Sequence, residues 1–378
     1  MDLATYRERI DAIDHDILRL FKERMQTAAE IGRYKAEHNL PILNHARERE
    51  ILQRVGNDAG EDLSSHARIL FGMLFDLSRS YQQRLLDGDS QLAHAISDAL
   101  EKTPKIFPRN GSVACQGIEG AYSQLACDKI FPQGDITYVR TFDGVFQAVE
   151  QGLCQYGILP IENSSYGTVN AVYDLMRNHH FYIVRSVKLQ VNHVLLGKHG
   201  SSLKGITEVF SHDQAIGQCS AFFKQNKQIK VTLCENTAVA AQMVADSERR
   251  DIAAISSRPC AELYGLEVLS DNIQNSDHNY TRFIVISKQM AIYPGADRIS
   301  IMVTVPHKPG ALYRLMAKFS VLGVNLLKLE SRPIAGRDFE FMFYFDFEGS
   351  VYDPDIVRLL ADMAAGPDLF VFLGSYSE

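Results

Sequence analysis

The stretch ILRLFKERMQTAAEIGRYK, residues 17–35, lies in a long N-terminal segment with helical periodicity. Positions seven residues apart fall along one slowly drifting stripe of a helix. In this segment the stripe is occupied by Leu3, Ile10, Ile17, Arg24 and Ile31. A single arginine therefore interrupts an otherwise aliphatic face.

The helical periodicity extends over residues 2–86, which contain one proline, Pro41. It predicts three helices, at about residues 3–38, 44–55 and 62–86. The first would be about 54 Å long, too long for the other two to cover. We therefore expect a second copy of the chain to cover it, in a homodimer or a higher homo-oligomer.

Polar side chains interrupt the apolar faces of all three predicted helices. Lys35 lies about three turns after Arg24 and projects from nearly the same face. The interruptions in the second and third helices are Arg47, Glu48, Ser78 and Gln82. One such arginine usually extends its charged end to solvent. Interruptions in three helices instead favour a polar pocket for a ligand with at least two negative charges, because a buried, uncompensated charge is costly.

These residues resemble the motif of the all-helical chorismate mutases, in which one long and two shorter helices form an entwined dimer. The resemblance covers about residues 1–88 and implies a chorismate site at Arg7, Arg24, Lys35, Asn44, Arg47, Glu48, Ser78 and Gln82. It implies that arginines hold the two carboxylates, with Arg7 contributed by the other subunit. Lys35 and Gln82 would lie at the ether oxygen and Glu48 at the ring hydroxyl. The family often has aspartate in place of Asn44, which could also be a plain N-cap.

Residues 89–104 are polar and weakly helical, and we interpret them as a linker. From about 105 to 290, strands, polar loops and helices alternate, which predicts a two-lobed α/β region with ligand groups at the carboxyl ends of strands. Four loops there combine small residues with hydroxyl or amide groups: QGIEGAYSQ (116–124), PIENSSYGTV (160–169), SHDQAIGQCS (211–220) and NYTRF (279–283). Their glycines do not match GxGxxG, so a dinucleotide site is unsupported. His212 could be a general acid, but a lone histidine near the start of a helix more often has a structural role.

Together the four loops resemble prephenate dehydratases, whose two lobes are similar to periplasmic binding proteins. The resemblance places the threonine of the TRF motif at Thr281 and implies that it helps hydroxide leave as prephenate loses CO2. Arg282 is a candidate to polarise it. Further prephenate contacts implied are Tyr122, Asn163, Ser164, Ser165, Arg282 and Phe283. The family usually has GP-x-G where this chain has residues 117–120, GIEG, a change expected to alter loop shape rather than chemistry.

Residues 297–378 alternate as βαββαβ, a ferredoxin-like order. Two pieces of this region resemble the ACT domain of phenylalanine-sensitive dehydratases: Pro309, Gly310, Ala311 and Leu312 at a turn, and Glu330, Ser331, Arg332 and Pro333 at a strand end. A turn with Pro309 and Gly310 could also be only a tight turn. The resemblance implies feedback inhibition by phenylalanine bound between paired domains.

Composition limits the classes of function. The 378 residues are 46% hydrophobic and 22% charged, as in ordinary soluble proteins. A formal charge of -7 argues against nucleic acid or an anionic membrane as the main partner. No apolar run approaches the roughly 20 residues of a membrane span. The six cysteines show no metal-binding spacing and are typical of reduced thiols in a cytoplasmic protein, so we expect no metal and no cofactor.

The leading hypothesis is a bifunctional enzyme of phenylalanine biosynthesis that converts chorismate to prephenate and prephenate to phenylpyruvate, under phenylalanine control. Two alternatives remain open at this point. One is a prephenate or arogenate dehydratase whose degenerate mutase helices only dimerise. The other is a regulatory binding protein whose two lobes close on a small anion.

Overall fold

The computed structural model describes residues 2–38, 40–41, 43–87, 90–305, 307–334, 341–366 and 369–378. The chain divides into two compact units. The first comprises Met1–Asp98 and Ser300–Phe372, and the second comprises Ala99–Ile299 and Leu373–Glu378.

The N-terminal region consists of the three expected helices. They are α1 (Leu3–Glu37), α2 (His45–Asp58) and α3 (Gly60–Asp87). Asp2 caps α1 by accepting from the Thr5 N–H at 2.9 Å, and Asn44 caps α2. The prediction of three helices is confirmed, but α2 and α3 are separated only by Ala59, so both extend further toward each other than the periodicity indicated.

Helix α1 is buried only near its C-terminal end. Its buried residues are Ala28, Ala29 and Gly32. At Gly32 the helix passes close to α3, because a Cβ there would lie 3.0 Å from Cγ of Gln82. Residues 2–20 are all exposed in the single chain, including the aliphatic side chains of the heptad stripe.

The segment 89–104, which we interpreted as a polar, weakly helical linker, contains the helix α4 (Gln91–Lys102), and the boundary between the two units falls within this helix, after Asp98. Its apolar residues Leu92, Ile96 and Ala99 recur at helical spacing, and Ile96 and Ala99 are buried. Counting polar residues hid this apolar face, which stabilises α4 by packing.

Two sheets form the second unit. Its strands are β1 (Asn110–Gln116), β2 (Gln133–Val139), β3 (Tyr156–Asn163), β4 (Gly167–Thr168), β5 (Tyr182–Gln190), β6 (Val194–Gly197), β7 (Glu208–Ser211), β8 (Lys230–Leu233), β9 (Ile252–Ser256), β10 (Glu267–Ser270) and β11 (Tyr280–Ser287). Its helices are α5 (Tyr122–Ile130), α6 (Phe142–Glu150), α7 (Asn170–Asn178), α8 (Asp213–Gln218), α9 (Ser220–Gln225), α10 (Thr237–Asp246) and α11 (Pro259–Tyr264).

One sheet has the order β2-β1-β3-β11-β5, with β4 beside β3, and the other has the order β10-β6-β9-β7-β8. Each sheet has its own hydrophobic core, so the prediction of two α/β lobes is confirmed. Strand β11 returns from the second lobe to lie antiparallel between β3 and β5. The start of β11 therefore lies where the chain re-enters the first lobe.

The C-terminal region has the predicted βαββαβ order. Its elements are β12 (Arg298–Thr304), α12 (Ala311–Val321), β13 (Leu326–Pro333), β14 (Phe341–Glu348), α13 (Pro354–Ala364) and β15 (Phe370–Tyr376). The four strands form one sheet in the order β13-β14-β12-β15. Phe319 of α12 packs on Phe345 and Phe347 of β14, which fixes this helix against the sheet.

Two candidate active sites and the relatives of the chain

The arginine that interrupts the apolar stripe of α1 lies against α3. Arg24 Nη1 donates to the Leu74 carbonyl oxygen at 3.0 Å and also to Ser78 Oγ. Its guanidinium carbon lies 5.8 Å from the centroid of the Phe75 ring. Burial lowers the pKa of Arg24. Arg24 is therefore held by α3 rather than extended into solvent, and the structure brings it together with Ser78, as the stripes predicted.

Gln82 lies one turn after Ser78 on α3, and both side chains are only 7% exposed. Gln82 Oε1 is buried and has no hydrogen-bond partner within the described part of the chain. An unsatisfied buried amide oxygen costs about 1–3 kcal/mol. A ligand that donates to this oxygen would remove the cost, which fits a polar pocket at this position.

The proposed residues of α2 have different environments. Glu48 is partly buried and pairs with Arg79 of α3, a residue that sequence reasoning did not single out. Arg47 is exposed and pairs with Glu50 at 2.7 Å. Asn44 Oδ1 accepts from the Arg47 N–H at 3.1 Å, so Asn44 acts as an N-cap.

Two further cations of the predicted chorismate site lie on α1. Arg7 is exposed in the single chain, and Lys35 is half-buried. The structure thus joins Arg24 to Ser78, places Gln82 one turn further along α3, and links Glu48 to the same helix through Arg79.

In the second unit, Thr281 lies at the start of β11 directly opposite Asn163, the last residue of β3. Asn163 Nδ2 donates to Thr281 Oγ1 at 2.9 Å and to Asn279 Oδ1 at 3.0 Å. Asn163 Oδ1 accepts from the backbone N–H groups of Ser165 (2.9 Å) and Tyr166 (3.0 Å). Because the amide oxygen faces two donors, the amide nitrogen must face Thr281. The threonine oxygen accepts from Asn163, which leaves its own proton free to be donated.

Arg282 points away from Thr281. Successive side chains of a strand alternate between faces, and Arg282 pairs with Glu162 at 3.5 Å. A β-bulge between Arg282 and Phe283 follows. The suggestion that Arg282 polarises Thr281 is therefore not supported by this geometry, and Asn163 is the polar neighbour that the structure provides instead.

Two of the other predicted contacts, Phe283 and Ser164, belong to the core and to a loop. Phe283 is 2% exposed and belongs to the core of the first lobe, so its assignment as a substrate contact is corrected. Ser164 Oγ donates to the His278 carbonyl oxygen at 3.0 Å and accepts from the Tyr280 N–H at 2.9 Å. These two bonds fix the 163–166 loop to the chain that enters β11.

Tyr122 and Ser165 also lie near this junction. The Tyr122 hydroxyl donates to the Asn192 carbonyl oxygen at 2.7 Å, and burial raises the pKa of Tyr122. Ser165 Oγ lies 3.5 Å from Asn279 Oδ1. Asn279 Nδ2 is buried and has no hydrogen-bond partner among the residues that the structure describes. This donor is available to a ligand beside Thr281.

The second lobe contributes a buried polar pair that sequence reasoning missed. His193 is 2% exposed, and its Nε2 lies 2.7 Å from Gln218 Oε1 at the end of α8. Burial lowers the pKa of His193, and its Nε2–H donates to the amide oxygen, which can only accept. Tyr166 of the first lobe reaches α8 as well, because its hydroxyl lies where a Cβ on Gly217 would be. The 163–166 loop thus faces α8 across the junction of the lobes.

His212 and the GIEG loop have structural roles. His212 caps α8, with Nδ1 accepting from the Gln214 N–H at 3.3 Å, which favours the structural interpretation. Gly120 has φ +88°, and a Cβ there would lie 2.8 Å from Cys260 Sγ in α11. The glycine permits this loop of the first lobe to approach the second lobe closely.

The sequence matches two family models in succession: Chorismate mutase type II over residues 6–83 and Prephenate dehydratase over residues 113–291. A Bifunctional chorismate mutase/prephenate dehydratase of Aquifex aeolicus is 31% identical over 379 residues, which is 100% of this chain and 98% of that protein. Arogenate dehydratase/prephenate dehydratase 2 of Arabidopsis thaliana is 36% identical over 71% of this chain and 74% of its own length.

A solved prephenate dehydratase from Arthrobacter aurescens, in complex with L-Phe, has a TM-score of 0.65 and 26% sequence identity. That likeness covers 71% of this chain and 90% of the solved one. A helical mutase domain followed by a two-lobed dehydratase domain defines an enzyme with two activities on one chain. The protein belongs to the bifunctional chorismate mutase/prephenate dehydratase family, and the family resemblance predicted from the motifs is confirmed.

In the described ranges, none of the helices is long and apolar enough to cross a membrane. Over the same ranges, the structure has no cluster of three or more His, Cys, Asp or Glu side chains arranged to hold a metal ion.

Proposed function

We propose that the helical domain rearranges chorismate to prephenate and that the two-lobed domain converts prephenate to phenylpyruvate, CO2 and water. We further propose that residues 297–378 form an ACT domain through which phenylalanine inhibits the enzyme. The observation that carries the dehydratase assignment is the orientation of the Thr281 hydroxyl by Asn163.

The mutase proposal follows from the charge pattern around Arg24. A Claisen rearrangement needs the substrate held in a reactive conformation and positive or donor groups where the breaking C–O bond leaves negative charge. Arg24, which is partly buried, would bind one carboxylate, and Lys35 together with the Nε2–H group of Gln82 would donate to the ether oxygen. Glu48 would hold the ring hydroxyl. No nucleophile or acid is needed among these residues.

In the proposed dehydratase reaction, Thr281 is the proton donor to the leaving group. As CO2 leaves prephenate and the ring becomes aromatic, Thr281 Oγ1 gives its proton to the departing hydroxide, so that water leaves. The Asn163 Nδ2–H bond to Oγ1, at 2.9 Å, then stabilises the negative charge that develops on the threonine oxygen. Solvent returns the proton after product release. The unpartnered Asn279 Nδ2 would bind a substrate oxygen.

Two observations support phenylalanine as the effector. The C-terminal region has the βαββαβ order of the proposed ACT domain, and the Arthrobacter aurescens relative was solved with L-Phe. We propose that the ligand contacts the turn at residues 309–312 and the strand end at residues 330–333. Residues 335–340, which follow that strand, lie outside the described part of the chain.

The turnover test uses the purified full-length chain with chorismate, prephenate and arogenate supplied separately and no added cofactor. We expect chorismate to give phenylpyruvate through prephenate, and phenylalanine to slow the reaction. A dehydratase with a degenerate mutase would act on prephenate but not on chorismate. A binding protein would show a thermal shift with these ligands and no product, and that outcome would overturn the proposal. The arogenate arm decides which dehydratase substrate is preferred, a choice that the Arabidopsis relative makes relevant.

A dimer is proposed because α1 exposes its heptad stripe. Leu3, Ile10 and Ile17 are 66%, 55% and 59% exposed, and the family resemblance requires Arg7 from a partner. Replacing Ile17 by aspartate is expected to weaken self-association in sedimentation and to abolish mutase activity, since a charge in a buried interface is costly. Ile106→Asp, at a residue 79% exposed in the second unit, is the matched control. Unchanged sedimentation together with parent-like mutase activity in Ile17→Asp would contradict the dimer through α1.

A further inference from the structure

A chain of ion pairs runs through the first unit from α2 to α12. Glu48 of α2 pairs with Arg79 of α3. Arg79 also pairs with Asp76, one turn earlier on the same helix. Asp76 in turn pairs with Arg314 of α12, with Oδ2 2.8 Å from Nε. The chain therefore joins a residue proposed for the mutase site to a helix of the proposed ACT domain.

Arg79 is shared between two carboxylates. Its Nη1 contacts Glu48 and its Nη2 contacts Asp76, so a planar guanidinium fork makes the positions of the two carboxylates depend on each other. The side chains of Glu48, Arg79 and Asp76 are each 26% exposed. Partly buried pairs are screened less by salt than surface pairs. Burial raises the pKa of Asp76, and the charges of Arg79 and Arg314 oppose that shift.

The other end of the chain lies at the turn proposed to bind phenylalanine. A Cβ placed on Gly310 would be 3.3 Å from Arg314 Nη1, so the guanidinium lies beside the turn. The Arg314 N–H also donates to the Gly310 carbonyl oxygen at 3.0 Å. The guanidinium that pairs with Asp76 therefore lies within reach of a ligand at this turn.

We propose that Arg79 is a positioning residue for Glu48 and that Arg314, through Asp76, makes the mutase rate depend on phenylalanine at the turn. This inference rests on the proposed function. When Arg314 leaves Asp76, that carboxylate competes more strongly for Arg79. Glu48 then loses its partner and its orientation, and the rearrangement slows. Linkage applies to binding, so a ligand that contacts Glu48 in the mutase site should weaken phenylalanine binding by the same factor by which phenylalanine weakens the binding of that ligand.

The positioning role of Arg79 is tested in the full-length enzyme by a double-mutant cycle with Glu48. Arg79→Gln is expected to lower mutase kcat about tenfold, with Arg79→Lys recovering part of the loss. In a Glu48→Gln background, the same Arg79→Gln change should add less than about a twofold effect, because residues that act through one another are non-additive. Effects that multiply in the double variant would overturn the positioning role. Far-UV circular dichroism and thermal unfolding report whether the helices of each variant are folded, because the dehydratase site lies in the other compact unit.

The coupling is tested by two substitutions with opposite expected results. Arg314→Gln should mimic the ligand: the mutase slows to the rate of the phenylalanine-saturated parent and no longer responds to phenylalanine. Asp76→Asn removes the carboxylate that competes with Glu48 for Arg79. The mutase activity of this variant should therefore stay high and should not be lowered by phenylalanine. In both variants phenylalanine should still inhibit the dehydratase. Arg358→Gln, which breaks an exposed 2.6 Å pair with Asp355 on α13, is the matched control and should respond like the parent.

Three outcomes separate the possibilities. If Arg314→Gln also abolishes dehydratase inhibition, Arg314 acts by binding phenylalanine itself. The proposal that the ion pairs transmit the effect of phenylalanine to the mutase site is then wrong. If phenylalanine inhibits the parent dehydratase but leaves the parent mutase unchanged, the chain has no regulatory role. If the parent enzyme converts neither chorismate nor prephenate, the proposed function fails, independently of the chain.

Discussion

Replacing Thr281 by alanine is expected to slow prephenate dehydration by about 10²–10⁴-fold, the usual contribution of a positioned proton donor. The hydroxyl accepts from Asn163 and has its own proton to give, and alanine removes both functions. Mutase activity should be unchanged, so chorismate supplied to the variant should accumulate as prephenate. The measurement is product analysis over time with chorismate and with prephenate as separate substrates.

Two companion variants separate chemistry from packing at this position. Thr281→Ser keeps the hydroxyl and should retain most of the dehydratase activity. Asn163→Asp replaces the donor that faces Thr281 by a carboxylate oxygen, and it should slow dehydration because like-signed charge would develop on both oxygens. Thr137→Ala, at an exposed threonine of β2 in the same sheet, is the control. Normal dehydration by Thr281→Ala would remove Thr281 from the proposed mechanism.

The helical site could be anticipated from sequence because helix period fixes which side chains share a face. Arg24 and Ser78 were predicted to meet, and the structure places them in hydrogen-bond contact. Arg79 was not anticipated, because it lies beside Ser78 and off the apolar stripe. Its function depends on how α2 packs on α3, which period alone does not determine.

The dehydratase site was predicted less completely, for a reason that lies in β11. This strand lies between two others and is buried on both faces over Thr281–Ser287, so alternation along it does not separate site residues from core residues. The sequence pattern of β11 therefore does not distinguish Thr281 from Phe283, although of these two only Thr281 faces a polar partner. His193 was missed because it lies in the crossover between lobes, where no periodic pattern marks a buried polar residue.

In the segment around α4, composition indicated less regular structure than the spacing of the apolar residues did. Its polar composition indicated a linker, yet Leu92, Ile96 and Ala99 form an apolar line at helical spacing. Ile96 is 1% exposed, so this short face is enough to hold the helix against its neighbours. The spacing of residues predicted this packing better than composition did, as it also did for Ser78 and Gln82, which interrupt the apolar face of α3.

Replacing Arg24 by alanine is expected to lower mutase kcat/KM by about 10²–10³-fold, because the substrate carboxylate would lose a charged, hydrogen-bonding partner in a partly buried site. The side chain lies over Phe75 and donates to α3, so it is already placed to receive a carboxylate. Arg24→Lys keeps the charge but loses the planar fork, and its activity should lie between alanine and the parent.

Folding should survive this change, which makes the test specific. Without Arg24, Ser78 Oγ still donates to the Leu74 carbonyl oxygen at 2.7 Å, so no buried hydroxyl is left unsatisfied. Added prephenate should be dehydrated at the parent rate. Arg19→Ala removes an exposed arginine of the same helix that pairs with Asp16 at 3.4 Å, and it serves as the control. Parent-like rearrangement of chorismate by Arg24→Ala would mean that the interrupted stripe of α1 marks a packing contact and not the substrate pocket.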